Sequence, residues 1–165
     1  LNASYRDAPS RLNEATNYAR SSTIGGGISI ASNIGTNIDF TLATNLSLSN
    51  VKNTLMATSD NKYFNQNSSA RVNWIFLKNF VANVDFNYIG NQGLTSTESL
   101  NYTMLNAGLG YKFLKKNAGE VRLQAFDLLN DNKAITRVQA DNYWEDVTTN
   151  VLNRYFMLIF TYKIG

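Results

Sequence analysis

The chain has 165 residues, a formal net charge of +3, and neither cysteine nor histidine. That composition excludes disulfide frameworks, thiolate chemistry, zinc sites and histidine acid–base catalysis. Charged residues make up only 16% of the chain, against about 25% in ordinary soluble domains, and the mild excess of cations forms no basic patch, so no nucleic-acid partner is expected.

No apolar run reaches the roughly 18 residues of a transmembrane helix. The chain opens at "LNASYRDAPSRLNE", which reads like the interior of a longer protein. Residues 1–20 are polar and carry the single proline, Pro9. They are expected to form the end of a strand and then a long outer loop, with residues 21–165 as the C-terminal part of a β-barrel. "STIGGGISIASN" is the first full strand, with Ile24, Ile28 and Ile30 on one face and Gly25–Gly27 inside it. Glycines inside a strand predict a bend or a bulge. No phosphate loop is implied, because no Lys-Ser/Thr pair follows.

A tight turn at Asn33–Thr36 leads into "TNIDFTLATNLSLS". Its even positions, Ile38, Phe40, Leu42, Leu46 and Leu48, are apolar, while Asp39, Thr41, Asn45 and Ser47 alternate with them. Period-two alternation is the mark of a strand with two unlike faces. The strand runs polar to Asn53 and is followed by a loop, "ATSDNK". In "YFNQNSSARVNWIF", Phe64, Ala70, Val72, Trp74 and Phe76 share a face, and Asn67, Ser69, Arg71 and Asn73 share the other. "FVANVDFNYIG" sets Phe80, Val84, Phe86 and Tyr88 against Asn83, Asp85 and Asn87. "SLNYTMLNAGLGYKF" puts Leu105, Ala107, Leu109, Tyr111 and Phe113 in phase. A basic turn, "LKKNAGE", precedes a shorter strand, "VRLQAFDLLN". "DNKAITRVQADNYWED" is expected to be a long loop, and "VLNRYFMLIFTYKIG" the last strand.

Three features turn the apolar faces outward into lipid rather than inward into a core. Tight turns near 34, 78 and 117 alternate with longer polar loops near 58, 94 and 138, as in outer-membrane barrels. The strands reach the ten or so residues that cross a bilayer at a tilt. Trp74, Phe76, Phe80, Tyr111, Phe113 and Tyr162 gather at the tight-turn ends, as an interfacial girdle would. The charges Asp39, Arg71, Asp85 and Arg122 all fall on the opposite parity, where they would face a lumen. The expected fold is therefore all-β: antiparallel transmembrane strands of the outer-membrane type, about seven or eight of a larger barrel. The expected location is the outer membrane of a Gram-negative bacterium, with its bilayer as the first partner.

"GEVRLQAFDLLNDNKAI" and the closing "TNVLNRYFMLIFTYKIG" resemble the last strands of TonB-dependent receptor barrels of the Bacteroidetes type. "DNKYFNQNSSARVNWIF" and "STIGGGISIASNI" extend the resemblance upstream to about residue 20. The resemblance implies a barrel of about 22 strands around a plug, and import of a metal chelate, vitamin or glycan powered through the TonB system. This chain shows no plug and no TonB box, and corresponds to the C-terminal third of such a barrel. A surface lipoprotein is a further implied partner. The alternating residues Phe156, Leu158, Phe160 and Tyr162 resemble the C-terminal signal read by the barrel assembly machinery, through strand pairing at an edge.

Two candidate sites stand out. Asp141, Tyr143, Trp144, Glu145 and Asp146 place acids beside aromatics in the last outer loop. They are read either as ligand capture or as a solvated loop packing on its neighbours. The spacing matches no EF-hand, and neither a metal nor a cofactor is expected. Asp39, Arg71, Asp85 and Arg122 are read as a charge ladder of the lumen wall or as the lining of a pathway. No serine triad and no GxSxG motif are present, so no enzymatic activity is expected. Two rival readings remain at this level. A stand-alone small barrel, used as an anchor or adhesin, would need residues 1–6 to pair with residues 150–164. A soluble lectin-like or lipocalin-like domain would conceal its apolar residues.

Overall fold

The computed structural model describes residues 1–55, 60–93, 101–132, 135–139, 144–148 and 150–164. The strands are Asn2–Leu12 (β1), Ala15–Ile34 (β2), Ile38–Asn53 (β3), Asn61–Phe76 (β4), Phe80–Gln92 (β5), Tyr102–Phe113 (β6), Gly119–Phe126 (β7), Ile135–Gln139 (β8), Trp144–Thr148 (β9) and Tyr155–Tyr162 (β10). One antiparallel sheet of eight strands runs in chain order from β1 to β7 and then to β10, and β8 with β9 makes a separate two-stranded sheet.

The register is continuous, so side-chain parity carries from one strand to the next without a slip. One row of partners reads Ile38–Trp74–Ala82–Leu109–Leu123–Leu158. The neighbouring row, on the other face, reads Asp39–Asn73–Asn83–Gly108–Gln124–Met157. Each strand supplies the same alternation, and pairing stacks the alternations into one apolar face and one polar face.

Burial is inverted relative to a soluble sheet. On the apolar face Ile28 is 69% exposed and Leu158 75% exposed, while Asn17, Ser49, Asn83, Gln124 and Asp127 are buried. Among the described residues the buried apolar side chains are Ala19, Val51, Val81 and Ala125, all small. Among the described residues there is no water-excluding core of large side chains, so this face needs an apolar solvent. The soluble-domain reading fails on this point. On the apolar face the Thr44 and Ser68 hydroxyls hydrogen-bond each other at 2.8 Å, as groups placed in lipid must.

The tight-turn ends are closed by residues in the left-handed region. Gly35 has φ +64 after β2, and Leu77 and Lys78 have φ 47 and 67 after β4. A single 3₁₀ turn, Lys115–Asn117, joins β6 to β7. Above these turns lies the expected aromatic belt. Trp74 and Phe76 have ring centroids 4.9 Å apart, Phe76 and Phe80 5.6 Å, Phe80 and Tyr111 5.0 Å, and Phe113 and Phe160 6.1 Å.

Four expectations are corrected. Residues 1–20 do not form a loop: β1 and the start of β2 are a regular hairpin turning at Asn13 and Glu14, with φ 47 and 68. Its pattern is polar on both faces, so periodicity gave no signal, and Pro9 lies in it opposite Tyr18. Gly25–Gly27 make no bulge, because β2 stays in register with β3 from Ile24↔Leu48 to Ile28↔Thr44. They give room instead: a Cβ on Gly27 would run into Asn45 Oδ1, and one on Gly25 would meet Asn2 Oδ1 at 2.9 Å. β7 ends at Phe126 rather than Asn130, because Asp127 takes φ 50. The loop expected over 131–146 contains the β8–β9 hairpin.

β1 and β10 stand at the two ends of the strand order, and the outer edge of neither is paired among the described residues. The sheet is not closed, and the pairing of residues 1–6 with 150–164 that a small barrel requires is not formed.

Candidate functional site

The polar face is the candidate lumen wall, and it is built mainly from amides and hydroxyls. Asn65 Nδ2 donates to Asn91 Oδ1 at 2.7 Å, linking β4 to β5. Thr23 and Ser49 share a hydrogen bond of 2.8 Å between β2 and β3. Asn83 on β5 and Gln124 on β7 bond at 3.2 Å over Gly108 of the strand between them. Such a wall offers hydrogen-bond donors and acceptors with little net charge.

The four expected lumen charges all lie on this face, in two places rather than one. Arg71 Nε donates to Asp85 Oδ1 at 2.6 Å across β4 and β5. Asp39 sits on β3 opposite Asn73, the residue two positions along from Arg71, and its carboxylate attracts the Arg71 guanidinium. Arg122, on β7, is instead held by Glu120 two residues before it, with Arg122 Nε donating at 2.8 Å. Glu120 went unnoticed in the sequence. Its i, i+2 spacing from Arg122 on a strand was the available signal, because such residues share a face. Each of these two arginines is neutralised by a neighbouring carboxylate.

The acid–aromatic cluster of the last outer loop is placed only in part. Trp144, Glu145 and Asp146 belong to β9, where Glu145 is exposed and pairs in register with Val138. Asp141 and Tyr143 lie outside the described residues. Among the described residues no cluster of three metal-binding side chains occurs.

At the end of β7 the structure organises a cap that the sequence concealed. Asp127 is 3% exposed, and its carboxylate accepts the backbone N–H of Asp131 at 3.2 Å and of Asn132 at 3.4 Å. Its own N–H donates to Asn106 Oδ1 at 2.9 Å. Asp131 in turn accepts the N–H of Thr103 at 2.8 Å. Phe126 and Tyr155 stack at 4.7 Å where β7 meets β10. "FDLLND" is thus a turn that ties the outer loop to β6, with the Asp side chain as the local bonding group.

Asn17 plays a similar part at the other edge. It is 3% exposed, donates to Asn53 Oδ1 at 3.1 Å and accepts the N–H of Leu55 at 3.1 Å. The residues read as an assembly signal, Phe156, Leu158, Phe160 and Tyr162, all point outward from β10, each at least 56% exposed. They lie on the strand whose far edge is open among the described residues.

With that geometry established, comparison with known proteins gives one match. The model of the outer membrane protein beta-barrel family matches residues 5–162. No curated protein and no solved structure matches the chain.

Proposed function

For a chain that belongs to the outer membrane protein beta-barrel family, we propose that it forms one side of the barrel of a TonB-dependent receptor that imports a scarce nutrient across the outer membrane. The observation that carries this reading is that the outer edges of β1 and β10 are both unpaired among the described residues. Every backbone N–H and C=O in lipid must be paired, so this sheet needs further strands on both sides. A wide barrel of about 22 strands supplies them. The wall facing its interior would be the amide and hydroxyl face, which suits a polar solute or an internal domain. In this reading the protein passes a solute and does no chemistry on it. The TonB system, the barrel assembly machinery and a surface lipoprotein are partners of the intact receptor.

A stand-alone small barrel is the second reading. It requires β1 to pair with β10 as well as with β2, and among the described residues β1 pairs with β2 alone. The test is the mass of the native polypeptide, extracted in detergent from an outer-membrane fraction. A species several times larger than 18.4 kDa whose deletion abolishes growth on a TonB-supplied nutrient is the expected result. A heat-modifiable species near 18.4 kDa would overturn the receptor reading.

A further inference from the structure

Two adjacent tight turns repeat one short motif. Residues 76–79 read Phe-Leu-Lys-Asn, and residues 113–117 read Phe-Leu-Lys-Lys-Asn. The first turn joins β4 to β5 and the second joins β6 to β7. The two hairpins are neighbours in the sheet, so their tips stand about 10 Å apart, two strand spacings. Asn79 fastens one to the other: its Nδ2 donates to the Lys112 carbonyl at 2.7 Å, and its own carbonyl accepts the Lys112 N–H at 2.8 Å. The third tight turn at this end, residues 35–37, carries no charge.

The backbone of both tips is left-handed. Leu77, Lys78, Leu114, Lys116 and Asn117 have φ of 47, 67, 70, 59 and 55. Such positions ordinarily fall to glycine or asparagine, yet four of these five hold leucine or lysine, at a conformational cost. The side chains so placed face water. Leu77 is 78% exposed and Leu114 56%, and Lys78, Lys115 and Lys116 are exposed. Lys112 adds a fourth amino group on the polar side of the sheet, opposite Glu120 in the register. The Glu120 carboxylate is engaged by Arg122, whose Nε donates to it at 2.8 Å. Asp39, the other carboxylate toward this end, stands opposite Asn73, five residues before Lys78. Lys163, whose N–H donates to the Ala118 carbonyl, adds a further cation. Among the described residues Lys78, Lys112, Lys115 and Lys116 form no ion pair.

We propose that these two turns form a docking surface for an acidic polypeptide segment on the short-turn side, which is periplasmic in barrels of this kind. Carboxylates of the segment meet the lysines, and apolar side chains between them cover Leu77 and Leu114. One small anion cannot span two tips about 10 Å apart, whereas an extended chain presents same-side residues about every 7 Å. The surface also continues through Lys112 onto the polar face, away from the lipid-facing side. The proposal rests on family membership and on the two turns, and is separate from the receptor reading.

The experiment uses the full-length protein in phosphatidylcholine nanodiscs and a fluorescein-labelled ten-residue peptide of alternating glutamate and leucine, with binding read by fluorescence anisotropy. The wild type is expected to bind the peptide, less tightly as salt rises. The variant Lys78→Asn/Lys115→Gln/Lys116→Asn should weaken binding by about threefold for each charge removed; asparagine accepts the left-handed backbone at two of these positions. Lys52→Gln/Lys62→Gln, which removes cations from the opposite end, should leave binding unchanged. A peptide with serine in place of leucine should bind more weakly to the wild type. Heat-modifiability on a gel verifies assembly, and if the triple variant does not assemble, Lys115→Gln/Lys116→Asn makes the same comparison. Absence of binding, equal binding of a glutamine–leucine peptide, or equal losses from the two sets of lysines overturns the proposal, because the turns would then contribute only net charge. Greater retention of phosphatidylglycerol by the wild type than by the triple variant, counted by native mass spectrometry in detergent, also overturns it, because the lysines would then hold the bilayer.

Discussion

Asn83 and Gln124 are separated by a whole strand and still touch. Asn83 lies on β5 and Gln124 on β7, and the amide of the first donates to the carbonyl oxygen of the second at 3.2 Å. The strand between them presents Gly108 at that point in the register, and a Cβ there would run into both side-chain oxygens. The polar face is thus knitted across three strands at Gly108, where the middle one lacks a side chain.

Gly108→Val should therefore destabilise the assembled barrel by about 1–3 kcal/mol, the usual cost of overpacking. The measurement is the temperature at which the compact gel band of the full-length protein converts to the unfolded one. Gly110→Ala is the comparison, because its Cβ would meet the end of a flexible Glu120 side chain at 3.0 Å. An equal shift for both would show that the three-strand contact is unimportant.

Leu42 sits in the middle of the apolar band, in the row Ile30–Leu42–Ala70–Phe86–Leu105. Leu42→Arg should cost about 2–4 kcal/mol, as cations do at the midplane, and deplete the protein from the outer-membrane fraction. Ala43→Arg, one residue on and facing the polar side beside Ser29 and Ser69, should assemble. Equal yields in a quantitative membrane blot would reverse the assignment of the two faces.

Asp127→Ala removes the acceptor for two backbone N–H groups and leaves a residue with φ 50 that alanine adopts poorly. A loss of about 1–3 kcal/mol is expected, confined to the outer cap. Amide hydrogen exchange should quicken at Asp131 and Asn132 and stay slow in β3 and β4. Uniform acceleration across the sheet would mean that the cap and the barrel unfold as one unit.

Phe80 links the two halves of the aromatic belt, with its ring 5.6 Å from Phe76 and 5.0 Å from Tyr111. Phe80→Ala should lower unfolding stability in vesicles by more than Phe64→Ala, since it gives up two ring contacts worth about 0.5–1.5 kcal/mol each beyond burial. Urea titration followed by tryptophan fluorescence reads the difference, and an equal loss for the two variants would remove the belt as a source of stability.

Legibility of the fold followed the range of the interactions concerned. β3 to β6 were readable to within a few residues, because Phe40, Val72, Val84 and Leu109 each announce a face by local alternation. The polar hairpin of β1 and β2 was not, because Ser10 and Asn17, or Asp7 and Arg20, form a strand pair only when aligned with each other. The lumen charges were legible as a parity, yet their partners were not. Arg71 finds Asp85 on another strand, whereas Arg122 takes Glu120 on its own. Asp127 looked like the continuation of a strand, and it ends one because its carboxylate is consumed by the two N–H groups that follow.

The sequence by itself determined that this chain makes long two-faced strands, that the apolar face carries no charge across its middle, and that its polar face is largely uncharged. Those properties are local, since a period of two fixes the side on which each residue falls whatever its neighbours are. The tertiary structure decided which strand lies beside which, where side chains meet across a glycine, and that both edges stay unpaired among the described residues. Each of these depends on register between segments distant in the chain, and register is set by the pairing of whole strands rather than by any one of them.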